Sequence, residues 1–347
     1  MEIAYGSVHT VFPMGDNSRV GEARRHGVQL ANSAGFDDVT SGRLALVITE
    51  LGTNLVKHAR NGRLLIAARG FSARASEIEV LSIDEGPGIA DPDRCMRDGF
   101  SSVGTPGTGL GATQRLADDF DLYSATPSGT LIVARVRAKP TLPSQSQFQS
   151  QPAEDRFRVG AVAISAPGET VSGDGWMIAI DDAKASAFMV DGLGHGPMAA
   201  AAAETALTHF QKKPFHDLAL LVQSAHETLR STRGAAVAMA GLDADNALIR
   251  SVGAGNVVTR VLSGVSDRTL LTQQGTIGLT IRRPEVVATP WPPHAIVVMH
   301  TDGVQQRWSG AALAPLLGRD PSLAAALLVR DYCRGRDDAT AMVVRRR

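Results

Sequence analysis

Three clusters in the first 140 positions have residue types and spacings suited to a nucleotide. Glu50, Asn54 and His58 fall at i, i+4 and i+8, with Lys57 beside them. On a helix they share one face. There the Asn54 amide oxygen can ligate a hard cation such as Mg²⁺, and the Glu50 carboxylate can order or deprotonate a hydroxyl or water. On spacing alone, an ordinary polar outer face is the competing reading. Next comes D-E-G-P-G-I, with Asp84, Gly86 and Gly88. A carboxylate at a strand end can accept a hydrogen bond from an exocyclic amine while glycine backbone approaches a flat base. A simple turn would look the same. The third cluster is Gly99 to Gly111, GFSSVGTPGTGLG, with five glycines in thirteen residues. Glycine-rich backbone entering a helix presents N–H groups to phosphate oxygens. It lacks the Lys-Ser/Thr ending of a P-loop and follows no predicted strand, so neither Walker nor Rossmann patterns fit.

The last 190 residues carry a different chemistry. Asp174 in S-G-D-G-W, Asp191 in V-D-G-L-G-H-G, Asp302 in H-T-D-G-V and Asp337 in R-D-D-A-T stand at the edges of apolar runs. An aspartate before glycine at a strand end is usually a turn. Four such sites in one domain could instead converge on a pair of hard divalent ions. A carboxylate-rich pair of ions activates water for in-line attack on phosphate.

The elements that must position these groups follow from periodicity. Residues 2–12 alternate and predict a strand. Asp16 can cap a helix running to about Ala34, and a second helix is predicted from Thr40 to Ala59. Its Leu44, Val47, Ile48, Leu51 and Leu55 recur at helical spacing and should face a sheet. Strands are expected at 64–69, 78–84, 120–125 and 130–136, with a short helix at 109–118. Helices on one face of a sheet make an α/β sandwich. After Arg158, eight short apolar runs surround two predicted helices at 196–211 and 216–229. Two groups of strands with helices packed outside suggest a layered α/β/β/α sandwich. The chain is thus expected to be α/β (α+β) in two domains.

Taken in order, E-L-G-T-N-L-V-K-H-A, D-E-G-P-G-I and G-T-G-L-G-A-T-Q-R-L resemble the GHKL (Bergerat) ATP-binding fold of histidine kinases, gyrase-type ATPases and small anti-sigma serine kinases. The run DGFSSVGTPGTGLGATQRLADDFDLYS is most similar to RsbT-type switch kinases, a group related to RsbW, whose substrates are STAS-domain proteins. That resemblance implies ATP and Mg²⁺ as cofactors. Glu50 would be the general base and Asn54 the Mg²⁺ ligand. Asp84 would bind the adenine amine, with Gly86 and Gly88 closing on the base. Gly107, Gly109, Leu110 and Gly111 would shape the phosphate lid, and 91–106 would be the ATP lid. Thr130 would line the adenine pocket, and Lys57 and His58 would flank the phosphates. The order G-D, D-G-x-G-H-G, T-D-G, D-D-x-T resembles the PPM family of metal-dependent Ser/Thr phosphatases, in its SpoIIE and RsbX branch. On that resemblance two Mn²⁺ or Mg²⁺ ions would be held by Asp174, Asp191, Asp302, Asp337 and the Gly192 carbonyl. Asp338 is the weaker ligand candidate. His195 could protonate the leaving serine oxygen, or be a loop histidine without a catalytic role.

The boundary between the halves is PTLPSQSQFQSQPAED, Pro140 to Asp155, too poor in apolar residues to offset its ordering entropy. Domains are therefore expected at 1–139 and 156–347, with 140–155 as a flexible linker. Lys+Arg and Asp+Glu balance at 35 each, which offers no reason to expect nucleic acid as a partner. The two cysteines, Cys95 and Cys333, are far apart and fit a reducing cytosol. No signal peptide and no bilayer-spanning run is read, so a cytoplasmic location without membrane partners is expected. Three functions remain open. The first is a fused writer and eraser of phosphate on a STAS-domain protein, in a sigma-factor or stress-response circuit, with a sigma factor or downstream regulator as a further partner. In the second, the first domain is an ATP-tuned binding module and only the phosphatase is catalytic. The third, a histidine kinase remnant, lacks a phosphoacceptor helix pair.

Overall fold

The computed structural model describes residues 1–72, 76–96, 109–138 and 156–347. The segment 140–155, Gly107 and residues 97–106 of the expected ATP lid lie outside them. Contacts divide the chain into two compact units. The N-terminal unit holds His9–Gly70 and 76–138. The C-terminal unit holds Met1–Val8, Phe71, Ser72 and 156–347.

The N-terminal unit is a layer of helices on an antiparallel sheet. Strands β2 (Thr10–Pro13), β3 (Arg63–Phe71), β4 (Glu77–Ile83), β5 (Asp119–Ala125) and β6 (Gly129–Arg137) lie in the order β2-β3-β4-β6-β5. The predicted strand 2–12 is two strands: β1 (Glu2–Gly6), which belongs to the other unit, and β2. Helix α1 (Asn17–Ser33) starts at Asp16, whose carboxylate accepts from the Ser18 and Arg19 amides. Helix α2 (Asp38–His58) starts at Asp37, which accepts from the Thr40 amide at 2.6 Å. Such caps satisfy amides that have no partner within the helix. The stripe Leu44, Val47, Ile48, Leu51 and Leu55 packs on Leu64, Ile66, Ile78 and Val80 of the sheet. A single turn α3 (Pro92–Cys95) and the short helix α4 (Gly109–Leu116) complete this unit.

The C-terminal unit is an α/β/β/α sandwich. One sheet runs β1, β8 (Asp174–Asp181), β9 (Lys184–Gly192), β10 (Ala235–Asp243), β11 (Leu248–Ala254) and β16 (Val287–Pro290). The other runs β13 (Asp267–Leu270), β12 (Val258–Leu262), β17 (Ile296–His300), β18 (Ala339–Arg346) and β7 (Phe157–Ile164). Between them lies one apolar core, which includes Trp176, Ile178 and Met189 from the first sheet and Val297, Met299 and Met342 from the second. Helices α5 (Pro197–Lys212) and α6 (Leu218–Thr228) cover the outer face of the first sheet through Phe210, Leu221 and Val222. Helix α7 (Pro321–Tyr332) covers the second. It is seated so closely that a Cβ on Gly160 of β7 would lie 2.0 Å from the Ser322 amide nitrogen. A small hairpin, β14 (Gly275–Thr276) and β15 (Thr280–Ile281), follows β13 in the chain, and the buried Ile277 between its strands pairs with Ala235 at the start of β10.

Candidate active sites

In the N-terminal unit, α2 presents Glu50 and Asn54 on the half-buried side left by its apolar stripe. They meet the start of α4. A Cβ on Gly109 would lie 3.4 Å from Glu50 Oε2 and from Asn54 Nδ2. Arg43, two turns earlier on α2, holds the other end of α4. Its guanidinium donates to the Leu116 carbonyl at 3.0 Å and to the Asp118 carboxylate at 2.7 Å. Within α4, Gly111 is buried, Leu110 packs on the core, and the buried Thr113 hydroxyl donates to the Gly109 carbonyl at 2.9 Å. A carboxylate, a carboxamide and a glycine-started helix therefore share one place, which is the equipment for a phosphate and its cation.

Asp84 follows β4 and is 8% exposed. Its Oδ1 accepts from the Gly86 amide at 2.6 Å, and its own amide donates to the Thr130 carbonyl at 3.0 Å. Backbone packs hard here. A Cβ on Gly129 would fall 2.1 Å from the Asp84 carbonyl oxygen, and one on Gly88, at φ +75°, 2.7 Å from that of Ala125. Only glycine fits such a left-handed close approach. Thr130 is buried and shares a 2.9 Å hydrogen bond with Ser124, whose hydroxyl accepts from the Ile89 amide at 2.7 Å. Ser124 thus ties the D-E-G-P-G-I turn to β5 and β6. Sequence reasoning missed it, since a strand serine carries no motif. Lys57 and His58 are exposed at the end of α2 and make no hydrogen bond or ion pair among the described residues. Gly86 approaches the His58 carbonyl rather than its ring.

In the C-terminal unit, Asp174 opens β8 and Asp191 lies directly opposite it on β9. Asp302 follows β17, and Asp337 precedes β18. Thr301 bridges the two sheets. Its hydroxyl donates to Asp174 Oδ2 at 2.6 Å and accepts from the Thr340 amide at 3.0 Å. The Asp302 charge acts on Asp191, and Asn256 donates to Asp302 Oδ2 at 2.6 Å. Behind this loop His300 is buried and held neutral, its pKa pushed down to about 4 by burial. Its ring sits between the Thr301 carbonyl, 2.9 Å away, and the Trp308 indole N–H, 3.2 Å away.

The electrostatics call for cations. Burial, and then the charges of Asp302 and Asp337, push Asp191 up to about 7. Burial, and then the Asp191 charge, push Asp174 well above the usual carboxylate range, although the Thr301 hydroxyl opposes this. Asp191 Oδ2 is buried without a hydrogen-bond partner. Buried carboxylates without counter-charge are costly, and hard oxygen donors of this kind suit Mg²⁺ or Mn²⁺. Among the described residues, no three His, Cys, Asp or Glu side chains are yet grouped tightly enough to hold an ion as they stand. Asp338 has a different part. Its two oxygens accept from the Ala166 and Gly173 amides, both at 2.7 Å, so it organises backbone. Gly192 donates to the Gly173 carbonyl, and a Cβ there would strike the Ala199 carbonyl oxygen at 2.4 Å.

Two side chains beside this cluster, Glu169 and Arg233, went unread in the sequence, whereas His195 was a candidate there. His195 is exposed, and its Nδ1 lies 2.8 Å from Glu169 Oε1. Arg233 sits on a turn fixed by the Gly234 amide donating to the Thr232 hydroxyl and by the Leu193 amide donating to the Gly234 carbonyl. Its Nη1 would lie 3.5 Å from a Cβ on Gly194, over the V-D-G-L-G-H-G loop. It makes no ion pair among the described residues. Glu169 and Arg233 lie 26 and 38 residues from His195, so only the fold reveals their proximity.

Comparison with known proteins agrees with both halves. Residues 15–136 match the family model of the histidine kinase-like ATPase domain, and residues 181–347 match that of stage II sporulation protein E. The serine/threonine-protein kinase RsbT of Bacillus subtilis (strain 168) is 36% identical over 115 residues, covering 32% of this chain and 84% of RsbT. A chain solved in work on the bacterial stressosome, as a modular system adapted to control secondary messenger signalling, is 27% identical. It superposes with a TM-score of 0.52, covering 55% of this chain and 100% of that one. RsbX in complex with magnesium shares the fold, with a TM-score of 0.50 at 16% identity over 56% of this chain and 96% of RsbX. Among the described residues no helix is long and apolar enough to cross a membrane.

Proposed function

We propose a two-way phosphate switch for this chain, which belongs to the RsbT-type family of histidine kinase-like ATPases and carries a SpoIIE-type phosphatase domain behind it. The N-terminal unit would transfer the γ-phosphoryl of ATP to a serine or threonine of a STAS-domain protein. The C-terminal unit would hydrolyse that phosphoester, or one on a related partner. The partner's circuit would control a sigma factor or stress response in the cytosol. The observation that carries this reading is that one chain holds both a Glu50–Asn54 pair set against a glycine-started helix and a facing Asp174–Asp191 pair that feels the charges of Asp302 and Asp337.

Phosphoryl transfer rests mainly on positioning and charge stabilisation. Glu50 would take the proton of the substrate hydroxyl, the Asn54 amide oxygen would hold Mg²⁺, and Asp84 would accept the adenine amine. Gly107, Gly109, Leu110 and Gly111 would let backbone close on the phosphates, with Thr130 at the base and Lys57 and His58 at the rim. In the second centre, Asp174, Asp191, Asp302, Asp337 and the Gly192 carbonyl would hold two divalent ions. A bound pair of ions supplies charge neutralisation and an activated water. Arg233 would bind the phosphate of the substrate. His195 would deliver a proton to the leaving serine oxygen, with Glu169 fixing its ring so that Nε2 faces the substrate.

The test of the writing half is Asn54→Ala and Glu50→Ala in the full chain, assayed with labelled ATP and a recombinant STAS-domain protein. Loss of transfer in both, with ATP binding kept in Glu50→Ala, is expected. Partner binding that survives Glu50→Ala, with no transfer by wild type, would instead make the N-terminal unit an ATP-tuned binding module.

A further inference from the structure

The first strand of the chain does not stay with the nucleotide-type unit that follows it. β1 pairs antiparallel with β8 in the register Glu2↔Ile180, Ile3↔Ala179, Ala4↔Ile178 and Tyr5↔Met177. Its side chains alternate between two cores. Ile3 joins Met177 and Ala179 under α5 and α6, and Ala4 joins Trp176 and Ile178 between the sheets. The N-terminal ammonium lies 3.0 Å from Asp181 at the end of β8. At the other end a Cβ on Gly6 would meet the Trp176 ring at 2.6 Å, so strand and ring are in direct contact. The Ile3 amide and carbonyl bond Ser72, at 2.8 and 3.0 Å, so by alternation the Ala4 amide faces β8.

β8 is also the strand that opens with Asp174, three residues from Met177. Its other edge is β9, where Asp191 stands opposite Asp174. Without β1, β8 would end the sheet with a row of unpaired amides and carbonyls. Such edges fray and recruit other strands. We propose that residues 2–6 are a built-in edge strand of the phosphatase unit, and that their docking on β8 positions Asp174 for metal binding. The proposal rests on the reading of Asp174 as a metal ligand. The occupant of the β8 edge is this chain's own N-terminus. Because Val8 continues directly into His9 and β2, the polypeptide that sets the eraser's metal site also leads into the writer. β1 is a positioning element and touches no substrate.

Two measurements on the full chain test this. The first replaces Ile3 and Ala179, facing neighbours in one core, by cysteine. Oxidation of dilute Ile3→Cys/Ala179→Cys protein is expected to give a crosslink within one chain, closing a loop between residues 3 and 179. Covalent dimers would mean that a second copy supplies the strand. No crosslink at all would mean that the edge is not filled by β1. Either result overturns the proposal. The second compares Ala4→Pro, which removes the amide facing β8, with Ala4→Gly, which keeps it. Ala4→Pro is expected to speed hydrogen exchange in 175–181 and to weaken Mn²⁺ binding by about 10- to 100-fold, the usual range for a lost supporting contact. Ala4→Gly should retain most of both. Equal protection and equal Mn²⁺ affinity in Ala4→Pro and wild type would overturn the proposal. If Ala4→Pro unfolds the unit, the crosslink decides. Neither readout depends on turnover. A chain that crosslinks and binds Mn²⁺ as expected yet never hydrolyses phosphoserine would refute the phosphatase reading alone.

Discussion

Asp337 and Asp338 are neighbours, and on the proposed function they would have opposite duties, Asp337 toward a metal ion and Asp338 toward backbone. Asp338 spends both oxygens on the Ala166 and Gly173 amides and is 3% exposed, whereas Asp302 faces the cluster and is held by Asn256. Charged hydrogen bonds to buried amides are worth about 1.5–3 kcal/mol each, and losing the acceptor strands both donors. Asp338→Ala should therefore cost the C-terminal unit about 3 kcal/mol or more in EDTA. Asp302→Ala should cost it about 1 kcal/mol or less, since it also relieves repulsion on Asp191, while abolishing tight Mn²⁺ binding. Trp176, Trp291 and Trp308 are the only tryptophans and all lie in that unit, so urea unfolding followed by tryptophan fluorescence reads it selectively. Equal losses for the two variants would contradict the division of roles. The preference for Asp337 over Asp338 as the ligand position came from motif alignment. The reason Asp338 is needed is visible only in the two loops that its carboxylate gathers.

At the scale of elements, the sheet of the N-terminal unit carries an ionic cluster that no motif announced. Glu79 on β4 is buried with Arg135 of β6, which approaches to 2.7 Å, Arg69 of β3 at 3.3 Å, and His9 at 3.4 Å. Burial alone would raise its pKa, but Arg135 and then Arg69 outweigh it and hold the carboxyl far below its ordinary value of 4.5. A depressed carboxylate contributes stability that is present above the unfolded pKa and is lost as pH falls toward the folded one. The N-terminal unit should thus lose stability progressively below about pH 4.5. Glu79→Gln should flatten that slope and cost about 3–5 kcal/mol at pH 7, as for any broken buried pair. Hydrogen exchange in β4 and β6 across pH measures both, and an unchanged acid slope in Glu79→Gln would refute the assignment. Legibility varied in the same way. α2 was readable because its apolar residues repeat at helical spacing, while its true start at Asp38, capped by Asp37, came from the structure. α7 was not. It is buried over nearly all its surface, from Pro321 to Val329, so PSLAAALLV shows no amphipathic period. β14 and β15, two residues each, are below any periodic signal. The predicted strand over 2–12 hid a break at Ser7–His9 that sends its two halves to different units.

For the whole molecule, the motifs identified two chemistries, and the family matches at 15–136 and 181–347 fall on either side of the Ser/Gln/Pro-rich segment. What composition could not reveal is that the C-terminal unit begins with Met1. On the proposed function, joining a writer and an eraser in one chain would raise the local concentration of one near the product of the other. That arrangement matters only if both act on one phosphoresidue. The most direct test incubates Asp191→Ala and wild-type full-length protein, side by side, with γ-labelled ATP, Mg²⁺, Mn²⁺ and lysate of the source organism. The expected result is a labelled protein band that accumulates with Asp191→Ala and fades with wild type. A band of equal strength and persistence with both would contradict the two-way switch.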